Sequence, residues 1–214
     1  MKILKTKRLL ISAMSVDELR SAVLSENDES KKSDLHEILQ SCLDHPDKHN
    51  WYTKWKIALH DGKVIGNLGF KGPQKNGAVE IACAIYEEHR NNGFATEAVR
   101  QAIHWAFSDN DVYFITSETE ESDLASKHVL EKLGFAPNGA GNKGELYEKE
   151  REESSWMAIF MCIGISCGVS IGITLDNVVT GMCIGMCLGV AVGLSFDESD
   201  RKKRIKLREA RDSR

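Results

Sequence analysis

Glu80-Ile81-Ala82-Cys83-Ala84-Ile85-Tyr86-Glu87-Glu88-His89-Arg90-Asn91-Asn92-Gly93-Phe94-Ala95-Thr96-Glu97, continuing to Phe107, is the stretch whose reading decides the fold. In residues 79–86, Ile81, Cys83 and Ile85 fall at every second position, the period of a half-buried strand. The period then changes. Ala98, Ala102, Trp105 and Ala106 recur on one face of a helix starting near Ala95 and ending at Phe107. Between strand and helix, Arg90-Asn91-Asn92-Gly93-Phe94-Ala95 must turn, and the small Gly93 and Ala95 let backbone come close to a ligand. Successive amides and the helix N-terminus add positive partial charge, and Arg90 adds a full one, so the turn suits a pyrophosphate.

Outward from this unit, strands and helices alternate. Residues 8–14 read as a short strand, and Ser15-Val16-Asp17-Glu18 is a capping box for a first helix. The charged residues 26–34 predict a solvated turn before a second helix that ends near Leu43, where His45-Pro46-Asp47 breaks it. Residues 51–59 and 63–70 predict two strands joined across Asp61-Gly62, whose glycine takes the positive φ of a tight hairpin. Residues 72–77 form a loop before the strand at 79–86. Residues 112–117 predict a further strand and 123–133 a further helix, with Gly134 as its C-terminal cap. The class is mixed α/β.

Two flanking segments give this pattern a resemblance. Arg90-Asn91-Asn92-Gly93-Phe94-Ala95 after a strand, Asp123-Leu124-Ala125-Ser126 leading to Leu130-Glu131-Lys132-Leu133-Gly134-Phe135, and Thr6-Lys7-Arg8-Leu9-Leu10 at the start come in order. Over residues 1–150 the chain resembles the GNAT superfamily of N-acetyltransferases, in its ribosomal-protein alanine acetyltransferase branch. The resemblance implies a central mixed sheet flanked by helices, with a V-shaped opening between the fourth and fifth strands that admits acetyl-CoA. The pantetheine arm would run along Ile81, Cys83 and Ile85 as an added strand. Arg90, Asn91, Asn92, Gly93, Phe94, Ala95, Thr96 and Asp123 would complete the cofactor site.

In such enzymes the amine attacks the thioester directly, so neither Cys42 nor Cys83 is expected to act as a nucleophile. An alkyl ammonium with a pKa of about 10 must first lose a proton. Glu80 matches a position where many relatives carry a glutamate for this purpose; its other reading is a salt-bridge carboxylate. Glu87, Glu88 and Glu97 read as solvated or capping residues. Two departures stand out: Asp123 replaces the family's asparagine and loses an amide donor, and Leu130 replaces a tyrosine that protonates the leaving thiolate in some branches. Ser126 is the nearest matched hydroxyl for that proton, beside its reading as a first-turn helix residue, and water is another source.

The chain has 214 residues, 42% hydrophobic and 28% charged, with a formal net charge of -4. That is enough for one ordinary domain plus an appendage, and the charge argues against a general nucleic-acid partner. The six cysteines form no CxxC pair and the histidines have no ligand spacing, so neither a metal site nor a disulfide framework is expected. Residues 1–15 never build the apolar run of a secretory signal. Trp51, Tyr52 and Trp55 read as core aromatics or as the lining of an acceptor pocket.

The appendage is apolar. Residues 157–175 and 178–196 flank Asp176-Asn177, each about 19 residues long and so close to the span of a bilayer helix. Gly164, Gly168 and Gly172, then Gly181, Gly185, Gly189 and Gly193, recur every fourth position, the small-xxx-small pattern of packed membrane helices. Ser166, Ser170 and Thr174, with Cys183, Cys187, Ala191 and Ser195, form a second small stripe. Two small faces point to self-association of hairpins. Large and small residues also alternate at period two, which leaves a strand reading open.

By the positive-inside tendency the basic run Arg201-Lys202-Lys203-Arg204-Ile205-Lys206-Leu207-Arg208 is expected on the cytoplasmic side, where its place just beyond a membrane segment favours anionic lipid over nucleic acid as its partner. The predicted organisation is therefore an acetyltransferase domain over 1–150, a charged linker over 151–155, a two-helix transmembrane hairpin over 156–196 and a basic tail over 197–214. The domain and both termini would be cytoplasmic. The partners would be an amine acceptor and membrane lipid. A non-catalytic acyl-CoA-binding module and a membrane-assembly protein whose tail is the active part are the alternatives at this point.

Overall fold

The computed structural model describes residues 2–212 apart from Lys75, Asn142, Lys143, Glu153, Ser154 and Leu175. Glu153 and Ser154 of the predicted linker, Leu175 of the first apolar segment and Ser213 and Arg214 of the predicted tail lie outside the described residues. The chain divides into two compact units, Met1–Arg151 and Glu152–Arg214.

The first unit opens with β1 (Ile3–Lys5) and β2 (Leu9–Ala13). In α1 (Val16–Ser25) the predicted capping box is complete: Ser15 accepts from the Glu18 amide, and the Glu18 carboxylate accepts from the Ser15 amide. The segment read as a solvated turn is mostly helix, because Asp28 caps α2 (Glu29–Asp44) through the amides of Ser30 and Lys31 and its charged residues form the exposed face. Trp51 and Tyr52, read as strand, lie instead in α3 (His49–Tyr52). The strand β3 (Lys54–Leu59) begins after them and turns at Gly62 (φ 89°) into β4 (Val64–Lys71).

Then come β5 (Ala78–Ile85), α4 (Phe94–Ala106), β6 (Phe114–Thr119), α5 (Leu124–Lys132), β7 (Ala136–Ala140) and β8 (Glu145–Glu150). The eight strands form one sheet in the order β1-β2-β3-β4-β5-β6-β8-β7. Every pairing is antiparallel except β5 with β6. The fold is the mixed α/β sheet flanked by helices that the sequence implied. Leu9, Ile11, Trp55, Ile57, Ile65, Val79 and Ile115 form the floor of the main core, and Ala98, Ala102 and Ala106 of α4 are fully buried against it. Such close helix–sheet packing needs small residues on the helix face. Leu19, Val23, Leu35, Leu39 and Cys42 make a second, smaller core under α1 and α2.

The second unit consists of α6 (Trp156–Thr174) and α7 (Val178–Asp212), so both apolar segments are helices rather than strands. Both are long and apolar enough to cross a membrane. The predicted boundary after Phe196 is no break in secondary structure, since α7 carries the basic run as well. The two glycine series face each other within the hairpin. A methyl on Gly185 would strike the backbone of Gly164 and Gly168, and one on Gly168 the backbone of Gly181. Asp197 of α7 caps α6, accepting from the amides of Trp156 at 2.9 Å and Met157 at 3.1 Å. Phe160 stacks on Phe196 beside Trp156 at the same end.

Candidate functional site

The parallel pairing of β5 with β6 covers only Ala78, Val79 and Glu80, which face Phe114, Ile115 and Thr116. Beyond Glu80 the two strands part. On its other edge β5 stays paired with β4 through Ile85, and β6 stays paired with β8 through Thr119. Among the described residues, the edge of Ile81–Ile85 toward β6 therefore has no ladder partner. Buried backbone polar groups demand partners, so this fork suits an extended ligand that completes the ladder. Ile81 and Ile85 point into the core while Ala82 and Ala84 are exposed, which leaves the other face of the strand unobstructed.

The fork leads into the turn before α4. Asn91 (φ 63°) and Gly93 (φ 75°) both adopt left-handed conformations around Asn92. The Asn92 side chain donates to the carbonyls of His89 and Arg90, and Arg90 Nε donates to the Ile85 carbonyl at 3.2 Å. Side chains cap α1, α2 and α5, but Gly93 offers α4 none. The first amides of α4 are thus left for a ligand, and an anion satisfies them best.

This turn is held from the other end of the domain. Thr6 Oγ1 donates to Glu97 Oε1 at 2.6 Å and the Arg8 amide donates to the same oxygen at 3.0 Å, while Arg8 Nε donates to Glu97 Oε2 at 2.7 Å. Arg8 also donates to the Asn92 carbonyl and lies over the Phe94 ring at 4.6 Å. Burial by itself would raise the Glu97 pKa, but the hydrogen bonds from Thr6 and Arg8 together bring it below its ordinary value. From the sequence alone Glu97 reads as a solvated or capping residue. Its partners lie about 90 positions away, beyond any periodicity.

The α5 side of the fork is organised by Asp123, the N-cap of α5. Its Oδ1 accepts from the Ser126 amide at 3.0 Å and its Oδ2 from the Ser126 hydroxyl at 2.6 Å. These bonds, with burial opposing them and Arg90 assisting, lower the Asp123 pKa. Aspartate here keeps the helix capped, and the Ser126 proton is engaged by Asp123. Leu130 is a buried core residue.

Glu80 stands at the last paired position of the fork and meets Lys71 Nζ of β4 at 2.7 Å. Cys83 is half-buried, and burial pushes its thiol up to about 12. Cys42 is buried and its thiol is raised for the same reason. Trp51 and Trp55 pack with Phe70 and Trp105, centroids 4.4–6.3 Å apart, and are core residues rather than a pocket lining. Among the described residues, no three His, Cys, Asp or Glu side chains gather as if around a metal ion.

An unpaired strand edge, a two-residue left-handed turn and an uncapped helix N-terminus line up in the order that an acyl-pantetheine diphosphate would need. The chain's relatives agree with this geometry. Residues 8–136 match the acetyltransferase (GNAT) domain family. The uncharacterized N-acetyltransferase YjdG of Bacillus subtilis is 32% identical over 64% of this chain and 92% of its own length. Among solved structures, the ribosomal-protein-S5-alanine acetyltransferase of Vibrio fischeri superposes with a TM-score of 0.56 at 17% identity, covering 72% of this chain and 98% of that one. The spermidine N-acetyltransferase of Vibrio cholerae in complex with CoA and spermine superposes with a TM-score of 0.51 at 16% identity, covering 67% and 94%.

Proposed function

This chain belongs to the GNAT acetyltransferase family, and on that premise we propose that it moves the acetyl group of acetyl-CoA directly onto a primary amine, tethered to a membrane by its C-terminal hairpin. It is an N-acetyltransferase. The observation that carries the acetyl-CoA reading is the edge of Ile81–Ile85, left without a partner where β5 and β6 part, directly ahead of the turn 90–96.

Acetyl-CoA brings a thioester, whose acyl carbon the acceptor nitrogen attacks. In the reading proposed here the backbone of Ile81, Cys83 and Ile85 aligns the pantetheine arm. The amides of Asn91, Asn92, Gly93, Phe94, Ala95 and Thr96, with Arg90, neutralise the pyrophosphate. Glu80 takes the proton from the acceptor ammonium, and Lys71 holds it in place until the acceptor arrives. Asp123 caps α5 rather than contacting the pantetheine through an amide donor. With Leu130 buried in the family's tyrosine position and Ser126 engaged by Asp123, water protonates the leaving thiolate.

We place the acceptor among protein N-terminal amines and small amines. The opening Thr6-Lys7-Arg8-Leu9-Leu10 favours the ribosomal-protein branch, and solved neighbours include enzymes named for ribosomal proteins and for spermidine. For the tether, support comes from the length and hydropathy of α6 and α7, their exposed apolar side chains, and the onset of charge at Asp197. Both termini would then be cytoplasmic, and the basic run in α7 would meet anionic lipid. The helices' mutual glycine seam leaves the exposed Ser166, Ser170, Cys183 and Cys187 stripe for any second copy.

The test is acetyl transfer by the full chain in non-ionic detergent, with an alanine-terminated peptide, a serine-terminated peptide and spermidine as acceptors. CoA release with a matching acetylated product supports the reading; acetyl-CoA binding without transfer to any acceptor class removes the direct-transfer claim. Retention of the full chain in vesicles after alkaline extraction supports the tether, and its release removes it.

A further inference from the structure

Thr119, at the end of β6, is 8% exposed, yet among the described residues its Oγ1 has no hydrogen-bond partner. A buried hydroxyl left unmatched costs stability, and valine would fill the same volume without that cost. The hydroxyl therefore points to something it binds. Side chains alternate along β6, which sets Ile115, Ser117 and Thr119 on the core face and Thr116 and Glu118 on the other. Ser117, also 8% exposed, directly follows Thr116, the residue paired with Glu80 where the strands part. Ser117 and Thr119 thus stand on the arm of β6 that borders the open edge of β5. Across the ladder on β8 they face Tyr147 and Glu145, which pair with each other instead. Tyr147 Oη donates to Glu145 Oε2 at 3.3 Å, and Lys127 Nζ meets the same oxygen at 2.9 Å.

Two positions apart on one strand face, Ser117 and Thr119 have Cα atoms about 7 Å from each other. Rotation about χ1 brings two such hydroxyls close enough for one water to bond both. With Glu80 as the base, the thioester lies at the closed end of the fork, the level of Ser117. We propose that Ser117 and Thr119 are positioning residues that hold the water which protonates the leaving thiolate. The inference rests on the acetyl-CoA reading of the fork and names what supplies its last proton. The water gives a proton to sulfur as the thioester C–S bond breaks with its electron pair on sulfur. The hydroxide so formed is neutralised by the proton that the acceptor nitrogen sheds when the amide forms.

The experiment compares Thr119→Val, Thr119→Ser, Ser117→Ala and the double variant Ser117→Ala, Thr119→Val with the native full chain in non-ionic detergent, using the acceptor that the native chain turns over. Thr119→Val keeps the shape and removes the hydroxyl. Its kcat should fall about tenfold, the worth of one hydrogen bond, with acetyl-CoA affinity by titration calorimetry within about twofold of native. Thr119→Ser should restore most of the rate. Ser117→Ala should match Thr119→Val, and the double variant should be no slower than either, because one water serves both. Without ligand, Thr119→Val should unfold at the same urea concentration as native or a higher one, since the lost hydroxyl had no partner. Native kcat in Thr119→Val overturns the inference, as does a lower urea midpoint. A loss of acetyl-CoA affinity that accounts for the slower turnover also overturns it, by putting the hydroxyl on the pantetheine arm. A native chain that fails to bind acetyl-CoA, or binds it without transfer, is a separate result: it removes the reading of the fork, and this inference with it.

Discussion

Glu97 and Arg8, 89 positions apart in sequence, meet through two hydrogen bonds, one from the Arg8 amide at 3.0 Å and one from its Nε at 2.7 Å. The first turn of α4 is thereby fastened to the turn before β2, and through the Asn92 carbonyl the same arginine steadies the loop between two left-handed residues. Glu97→Gln keeps the shape and removes the charge. The expected loss of stability is about 1 kcal/mol, since Arg8 is largely exposed. The folded-state pKa of Glu97 is depressed, so its contribution is present above the unfolded value and fades as pH falls through the folded one. Urea titrations of both proteins should therefore show a gap at pH 7 that closes as pH falls below the ordinary carboxylate range. A gap that persists at low pH would assign the effect to packing.

Glu80→Gln should cut kcat by about 100-fold and alter the pH–rate profile, with acetyl-CoA affinity within about twofold of native. The carboxylate stands where the strands part and meets the Lys71 ammonium at 2.7 Å. If the variant turns over at the native rate with the native profile, Glu80 is a salt-bridge residue and the acceptor loses its proton elsewhere.

Direct transfer predicts that no acetyl-enzyme forms. Burial raises the thiols of Cys42 and Cys83, the latter to about 12, so at neutral pH almost no thiolate exists at either. Intact-mass measurement after mixing with acetyl-CoA in the absence of acceptor should show no acetyl adduct, and both cysteines should resist iodoacetamide until the chain is denatured. A stable adduct on either cysteine would mean a two-step reaction.

What the sequence made legible follows from the range over which each interaction acts. The Ser15–Glu18 capping box, the Asp61-Gly62 hairpin and the strand–turn–helix through Gly93 are set by residues within a few positions of each other, and each is found where it is expected. The strands β7 and β8 escaped because they carry almost no apolar period: β8, between β6 and β7, buries Tyr147 alone, and the edge strand β7 carries Pro137 and Gly139 with no buried residue. Trp51 and Trp55 read as one strand because aromatics favour both strands and cores. The structure separates them into α3 and β3 and buries both against Trp105. The Thr6–Arg8–Glu97 fastening joins segments remote in sequence, so no local period encodes it.

The hairpin yields the last prediction, because along the glycine seam its two helices touch through backbone. Gly185 has the Gly164 carbonyl and the Gly168 Cα where a Cβ would sit, and Gly189 meets Phe160 and Met161 in the same way. A leucine at Gly185 has no free direction within the seam and must push the helices apart, whereas one at the neighbouring exposed Met186 disturbs nothing. Gly185→Leu should destabilise the hairpin by about 1–3 kcal/mol, with Gly185→Ala intermediate. Hydrogen exchange of the full chain in detergent reads this directly: α6 and α7 amides should exchange faster in Gly185→Leu, and Met186→Leu should match native. Asp197→Ala should speed exchange only at the start of α6, because Trp156 and Met157 lose their acceptor while the seam stays intact. Equal protection in Gly185→Leu and native protein would show that the helices are held by something other than the glycine seam.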